Sequence, residues 1–115
     1  MEALTLDPDA AEPPFEQLRR QVAAQVADGR LQPGERLPTV RALAASVGVA
    51  VNTAARVYTE LESDGVVVTE GRRGTFVRAP AAPAAVREAA LALAAAARRA
   101  GLGRTEALRL LEEAW

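Results

Sequence analysis

Apolar residues recur along most of this chain at helical rather than strand spacing. Phe15, Leu18, Val22 and Val26 fall three and four apart behind Pro14, which suits a first helical turn, so one apolar face is predicted on a helix that Gly29 ends. Gly29, Pro33, Gly34 and Pro38 then crowd a short stretch and require turns. Thr39 stands at an N-cap position ahead of Val40, Leu43, Ala44 and Val47, predicting a second helix that Gly48 stops. A third helix is predicted from about Val51 to Ser63, with Ala54, Val57, Tyr58 and Leu61 on one side and Asn52, Arg56, Thr59 and Ser63 on the other.

The period then changes. Val66 to Thr69 is β-branched, Gly71-Arg72-Arg73-Gly74 reads as a turn, and Thr75-Phe76-Val77 returns, predicting a β-hairpin. Tyr58, Leu61 and Phe76 all take core phase. Pro80 and Pro83 make residues 79–83 a linker. A fourth helix follows from about Ala84 to Ala100, with Val86, Ala90, Leu93, Ala94 and Ala97 as a stripe of mostly small residues. Gly101 is placed as its cap, and Gly103 opens a fifth helix whose apolar face is Leu108, Leu111 and Trp115. Residues 1–13 are acidic, contain Pro8 and Pro13, and read as an extended or loosely packed arm. The fold class is therefore mainly α with a small β-hairpin: a winged helix-turn-helix over residues 14–78 and a two-helix tail at 84–115. Two short helices enclose little core alone, so the tail is expected to dimerise.

With 115 residues, one main core is the limit. The absence of Cys and His removes disulfides, thiol chemistry, histidine bases and most transition-metal sites. No cofactor, metal or enzymatic activity is expected. Glu112-Glu113 and the trio Glu60, Glu62 and Asp64 read as solvated charge. The N-terminus shows no basic region followed by an apolar run, and nothing approaches the roughly 20 apolar residues of a membrane span. The expected setting is the cytoplasm, in association with the nucleoid, with no membrane partner.

A net charge of −1 looks unsuited to nucleic acid, but the charge is unevenly spread. Residues 1–13 carry four acids and no base, whereas 14–79 carry nine Arg against seven acids and 80–115 five Arg against four. Local fields matter more than the sum. The order helix, turn, helix, turn, helix, hairpin can present one helix to the major groove of double-stranded DNA while the hairpin reaches the neighbouring backbone or minor groove. The same elements also serve as a protein-interaction module without sequence-specific DNA binding, and that alternative stays open on pattern alone.

Asn52, Thr53 and Arg56 lie on the first turns of the third helix. Asn can pair with adenine, Arg with guanine, and Thr with phosphate or a thymine methyl. Gly71 and Gly74 let the backbone of the hairpin tip come close to DNA, where Arg72, Arg73 and Thr75 would meet a minor groove or phosphates. Thr39 caps the second helix or donates to a phosphate, and the cap alone would explain it.

Residues Pro14 to Val77 resemble the DNA-binding domain of the GntR family. In that family a helix opening near Pro-Phe/Tyr-x-Gln leads to G-x-L-x-P-G-x-x-L-P-S/T-x-R-x-L-A, then L/V-G-V, Tyr-x-x-Leu-Glu-x-x-Gly and G-T-F-V. The matching runs here are Pro14-Phe15-Glu16-Gln17, Gly29 to Ala44, Val47-Gly48-Val49, Tyr58 to Gly65 and Gly74 to Val77. The short tail and the Asn52-Thr53 pair are similar to the YtrA subfamily. The resemblance implies that Arg41, at the Leu-Pro-x-x-Arg position, contacts DNA through phosphate or a guanine edge. It further implies a homodimeric repressor on a near-palindromic operator, often beside a transporter operon; a small-molecule effector stays open, and with so short a tail its place would be the dimer interface or between domains rather than an enclosed pocket. One departure stands out: Ala50-Val51 occupies the place of the commoner Ser-Arg or Thr-Arg, which unsettles any carry-over of base preference.

Overall fold

The structure, a computed structural model, describes residues 1–80 and 83–115. Of the linker expected at 79–83, residues 81 and 82 lie outside the described residues. Contacts divide the chain into two compact units, Met1–Pro80 and Ala81–Trp115.

In the first unit, α1 (Pro14–Ala27), α2 (Val40–Val47) and α3 (Val51–Ser63) enclose a core with a two-stranded antiparallel sheet, β1 (Val67–Thr69) and β2 (Thr75–Val77). Each boundary has a local cause. Pro14 occupies the first turn of α1, where a missing N–H costs nothing. The Thr39 hydroxyl accepts the Ala42 N–H at 3.1 Å and caps α2, and Gly48 ends it in the left-handed conformation at φ 73°. The core comprises Leu18 and Val22 of α1, Leu31 and Leu37 of the following loop, Leu43 and Ala44 of α2, Ala54, Val57, Tyr58 and Leu61 of α3, and Val67 and Val77 of the sheet.

The strands pair Val67 with Val77, Val68 with Phe76 and Thr69 with Thr75, and Gly71–Arg73 forms a turn of 3-10 helix between them. The turn-dense loop before α2 adds a third edge. Gly34 N–H donates to the Val77 carbonyl at 2.9 Å, Val77 N–H to that of Glu35 at 2.9 Å, and Leu37 N–H to that of Thr75 at 2.8 Å. Arg36 thereby pairs with Phe76. Phe76, expected in the core, is only half-buried. Successive strand residues face opposite sides, and Val77 holds the inward place, so Phe76 turns outward with Val68.

The N-terminal arm is extended but not loose. Gln17, Gln21 and Gln25, four apart on α1, each meet the arm's backbone. Gln25 accepts the Glu2 N–H at 2.9 Å and donates to the Glu2 carbonyl at 3.2 Å. Gln21 does the same for Thr5 at 2.9 and 2.6 Å, and Gln17 for Asp7 at 2.8 and 3.1 Å. Gln17 also donates to the Glu12 carbonyl at 2.8 Å. A carboxamide carries one acceptor and a donor pair on a single plane, which matches a peptide unit's own needs. Leu4 and Leu6 pack against the core beneath this ladder.

The second unit is a helical hairpin, α4 (Ala84–Arg99) and α5 (Arg104–Ala114), turned through Gly101 at φ 74°. Leu102 N–H closes the turn on the Ala97 carbonyl at 2.8 Å. Ala97 is the one buried apolar residue described there, whereas Val86, Leu91, Leu108, Leu110, Leu111 and Trp115 stand exposed. No described helix is long and apolar enough to cross a membrane.

The ladder yields a first prediction. Gln17 is only 5% exposed, so Gln17→Leu strands amide and carbonyl groups of the arm and should cost about 1–3 kcal/mol. Thermal melting should show the loss, and hydrogen exchange should show faster exchange of the Asp7 amide with α3 protection intact.

Candidate nucleic-acid interface

The first residues of α2 and α3 and the hairpin belong to one unit, and the core fixes their separation. Tyr58 is central to this. Its hydroxyl donates to the Pro38 carbonyl at 2.6 Å, tying α3 to the residue that precedes the Thr39 cap. Burial pushes the Tyr58 phenol up to about 12, because a phenolate would lose its water without gaining a cation.

α3 has two margins. On one, Ala55, Tyr58, Thr59 and Glu62 border a cleft of about 200 Å³ completed by Val40, Thr69 and Thr75. Val51 falls on the same row as Ala55 and Thr59, four residues apart. On the other margin Arg56 lies flat on Phe15 of α1, its guanidinium carbon 3.5 Å from the ring centroid, with Glu60 at 3.7 Å. Between the margins Asn52 points outward and is exposed, and Thr53 is half-buried. The predicted set is thus spread across α3, with Arg56 on the α1 side and Asn52 at the front.

Ala50, the residue before α3, offers no side-chain cap. Thr53 and Ala54 N–H groups both donate to its carbonyl, at 3.0 and 3.1 Å. The first turn is acid-free, so its positive end faces outward uncompensated.

At the hairpin tip Arg72 is exposed, while Arg73 sits 3.1 Å from Glu70 and 5.9 Å from the Phe76 ring centroid. Gly71 and Gly74 have φ of 55° and 113°, and a Cβ on Gly74 would come within 2.9 Å of the Arg36 Nε. The backbone conformation therefore favours glycine at 74, and a side chain there would displace the Arg36 guanidinium. Thr75 faces Thr69 across the sheet, hydroxyl to hydroxyl at 3.4 Å.

The arginines of residues 1–80 divide by position. Arg19 is paired with Glu16 and, at 3.3 Å, with Asp64; Arg20 with Glu12 at 2.7 Å; Arg30 with Asp28 at 2.8 Å and with Glu2. The hydrogen bonds from Arg19 and Arg30 hold the Glu16 and Asp28 carboxyls below the usual carboxylate range. Among the described residues, Arg36, Arg41, Arg72 and Arg78 have no carboxylate partner. Uncompensated charge thus collects on α2 and the hairpin sheet rather than on α1. Arg36 escapes a reading by motif, because it reaches the hairpin only through tertiary strand pairing; Val51, already notable as a departure from the motif, is 42% exposed.

Residues 14–77 match the family described as bacterial regulatory proteins, gntR family. The HTH-type transcriptional regulator Rv1152 of Mycobacterium tuberculosis is 50% identical over 109 residues, 94% of this chain and 90% of that protein. The HTH-type transcriptional repressor YtrA of Bacillus subtilis is 35% identical over 74 residues, 64% of this chain and 57% of its own length. Among solved structures, the AraR DNA-binding domain in complex with operator ORE1 aligns with a TM-score of 0.57 at 25% identity, covering 63% of this chain and 88% of that one.

Tyr58 is the chain's single tyrosine, so phenolate absorbance should report it directly, with a native midpoint near 12 and an unfolded one near 10. Its folded pKa is the higher, so its stabilising contribution is whole below about pH 10 and is lost as pH rises toward the folded value. Tyr58→Phe should cost about 1 kcal/mol at neutral pH and soften the alkaline loss in a melting series.

Its fold, its matched residues and its relatives place this chain in the GntR family of bacterial regulatory proteins, as a DNA-binding transcription regulator.

Proposed function

We propose that the protein is a homodimeric repressor that occupies a near-palindromic operator in the cytoplasm. In this reading each protomer lays the first turns of α3 in the major groove, and Asn52 and Thr53 meet base edges. Arg41 binds phosphate or a guanine edge from the first turn of α2, and Arg56 meets the backbone beside the groove from its seat on Phe15. The hairpin approaches the adjoining minor groove through Gly71, Arg72, Arg73, Gly74 and Thr75. The carrying observation is the division of charge, with the α1 arginines neutralised and Arg41 of α2 and Arg36, Arg72 and Arg78 around the hairpin sheet left without a carboxylate. The name of the Bacillus relative, a transcriptional repressor, supports the direction of control. Control of a neighbouring transporter operon belongs to the same reading.

The tail supplies the second protomer's seat. Val86, Ala90, Leu93, Ala94, Leu108, Leu111 and Trp115 line a groove of about 500 Å³ between α4 and α5. Ala97, included in the expected dimer stripe, is buried between the helices and would support that surface from beneath. A two-fold protein reading two half-sites requires such a self-complementary face, and an exposed apolar groove fits a second copy of itself.

Selection of bound duplexes from a random pool tests the operator. The expected result is an inverted repeat, which Arg41→Ala no longer enriches although it still dimerises. Failure of the wild type to enrich any sequence would favour a protein-interaction module. Trp115, the single tryptophan, is 98% exposed in one chain. Its emission should therefore shift to the blue as concentration rises through the dimer transition, and Leu111→Glu should abolish the shift. A monomer at micromolar concentration in sedimentation would overturn the role given to α4 and α5.

A further inference from the structure

Val51 is the exception to the burial pattern of residues 1–80. Every other Leu, Ile, Val, Met or Phe described there is buried or half-buried, apart from this one side chain at the first position of α3. Helix formation alone would favour Ala at this place over a β-branched side chain left 42% exposed.

Its neighbours narrow what it can touch. Ala50 on one side and Ala55 one turn further on the same row carry only methyl groups, so the leading edge of α3 on the cleft side is apolar. At the front Asn52 offers hydrogen bonds, with the half-buried Thr53 beside it. In the major groove a single feature of the four base pairs answers an apolar contact, the C5-methyl of thymine. Guanine O6 and N7 would face methyls there and lose hydrogen bonds to water without replacement, which disfavours a G·C pair at this position.

Resting on the reading of α3 as the groove-entering helix, we propose that Val51 is a specificity residue that selects thymine by its methyl group at one position of each half-site.

The test uses the whole 115-residue chain and the operator obtained by selection. Each thymine is replaced in turn by deoxyuridine, which removes the methyl and leaves every hydrogen-bonding group. At one position per half-site the wild type should lose roughly fourfold in affinity, the worth of one buried methyl group. Val51→Ala should bind the thymine and deoxyuridine duplexes alike at that position, and selection with it should relax the thymine preference there alone. Its melting temperature should match or slightly exceed the wild type's, because the side chain is exposed and Ala favours the helix. Indifference of the wild type to deoxyuridine at every thymine would overturn the assignment while leaving the regulator reading intact. Undiminished discrimination by Val51→Ala would overturn it equally. Failure to select any operator would remove both.

Discussion

The buried stripe of α3 is the constraint on which residues 1–80 depend. Ala54, Val57, Tyr58 and Leu61 meet Leu18 and Val22 of α1, Leu43 and Ala44 of α2 and the inward valines of the sheet in one cluster. Because all these elements share one helix, none can shift without opening contacts that the others use, and close-packed interiors tolerate that poorly. The opposite face of α3 is thereby fixed in relation to the α2 cap and the hairpin before any ligand arrives. A face set in advance loses little conformational entropy on binding.

The electrostatics follow from the same packing. α1 faces away from the cleft and gathers acids from the arm, from its own first turn and from Asp64 just beyond α3, so its arginines serve the fold. Around the hairpin sheet Glu70 pairs with Arg73, the Glu62 carboxylate accepts the Thr69 N–H and Glu35 meets the Met1 ammonium, so the arginines at 36, 72 and 78 are left without a carboxylate. A chain with a net charge of −1 can in this way carry a basic surface, because its acids are spent where they tie segments together.

Much of the fold was legible. α2 and α3 lie where spacing put them, since Thr39 and Gly48 punctuate the chain locally and the buried face of α3 repeats at the helical period. What depended on long-range pairing was harder. Arg36 sits in a stretch whose glycines and prolines announce only turns, and its place beside Phe76 arises from the fold. Phe76 takes core phase in the sequence, but which phase of the short strand faces inward is set by Val67 and Val77, and Phe76 falls on the other. Arg56 was placed on the open face by phase, but its partner Phe15 belongs to another helix. The arm was underestimated, although the alternation of Leu4 and Leu6 and the spacing of Gln17, Gln21 and Gln25 were present as signals. Glutamine on a helix face reads as merely polar until a second backbone is laid beside it.

That ladder binds amides and carbonyls, which every residue but proline supplies alike. The outward side chains at Ala3 and Thr5 are left free to vary while the path of the segment is preserved. Sequence divergence in the first residues of related regulators would then be a poor guide to divergence in structure. A better one would be retention of three carboxamides at four-residue intervals on the first helix.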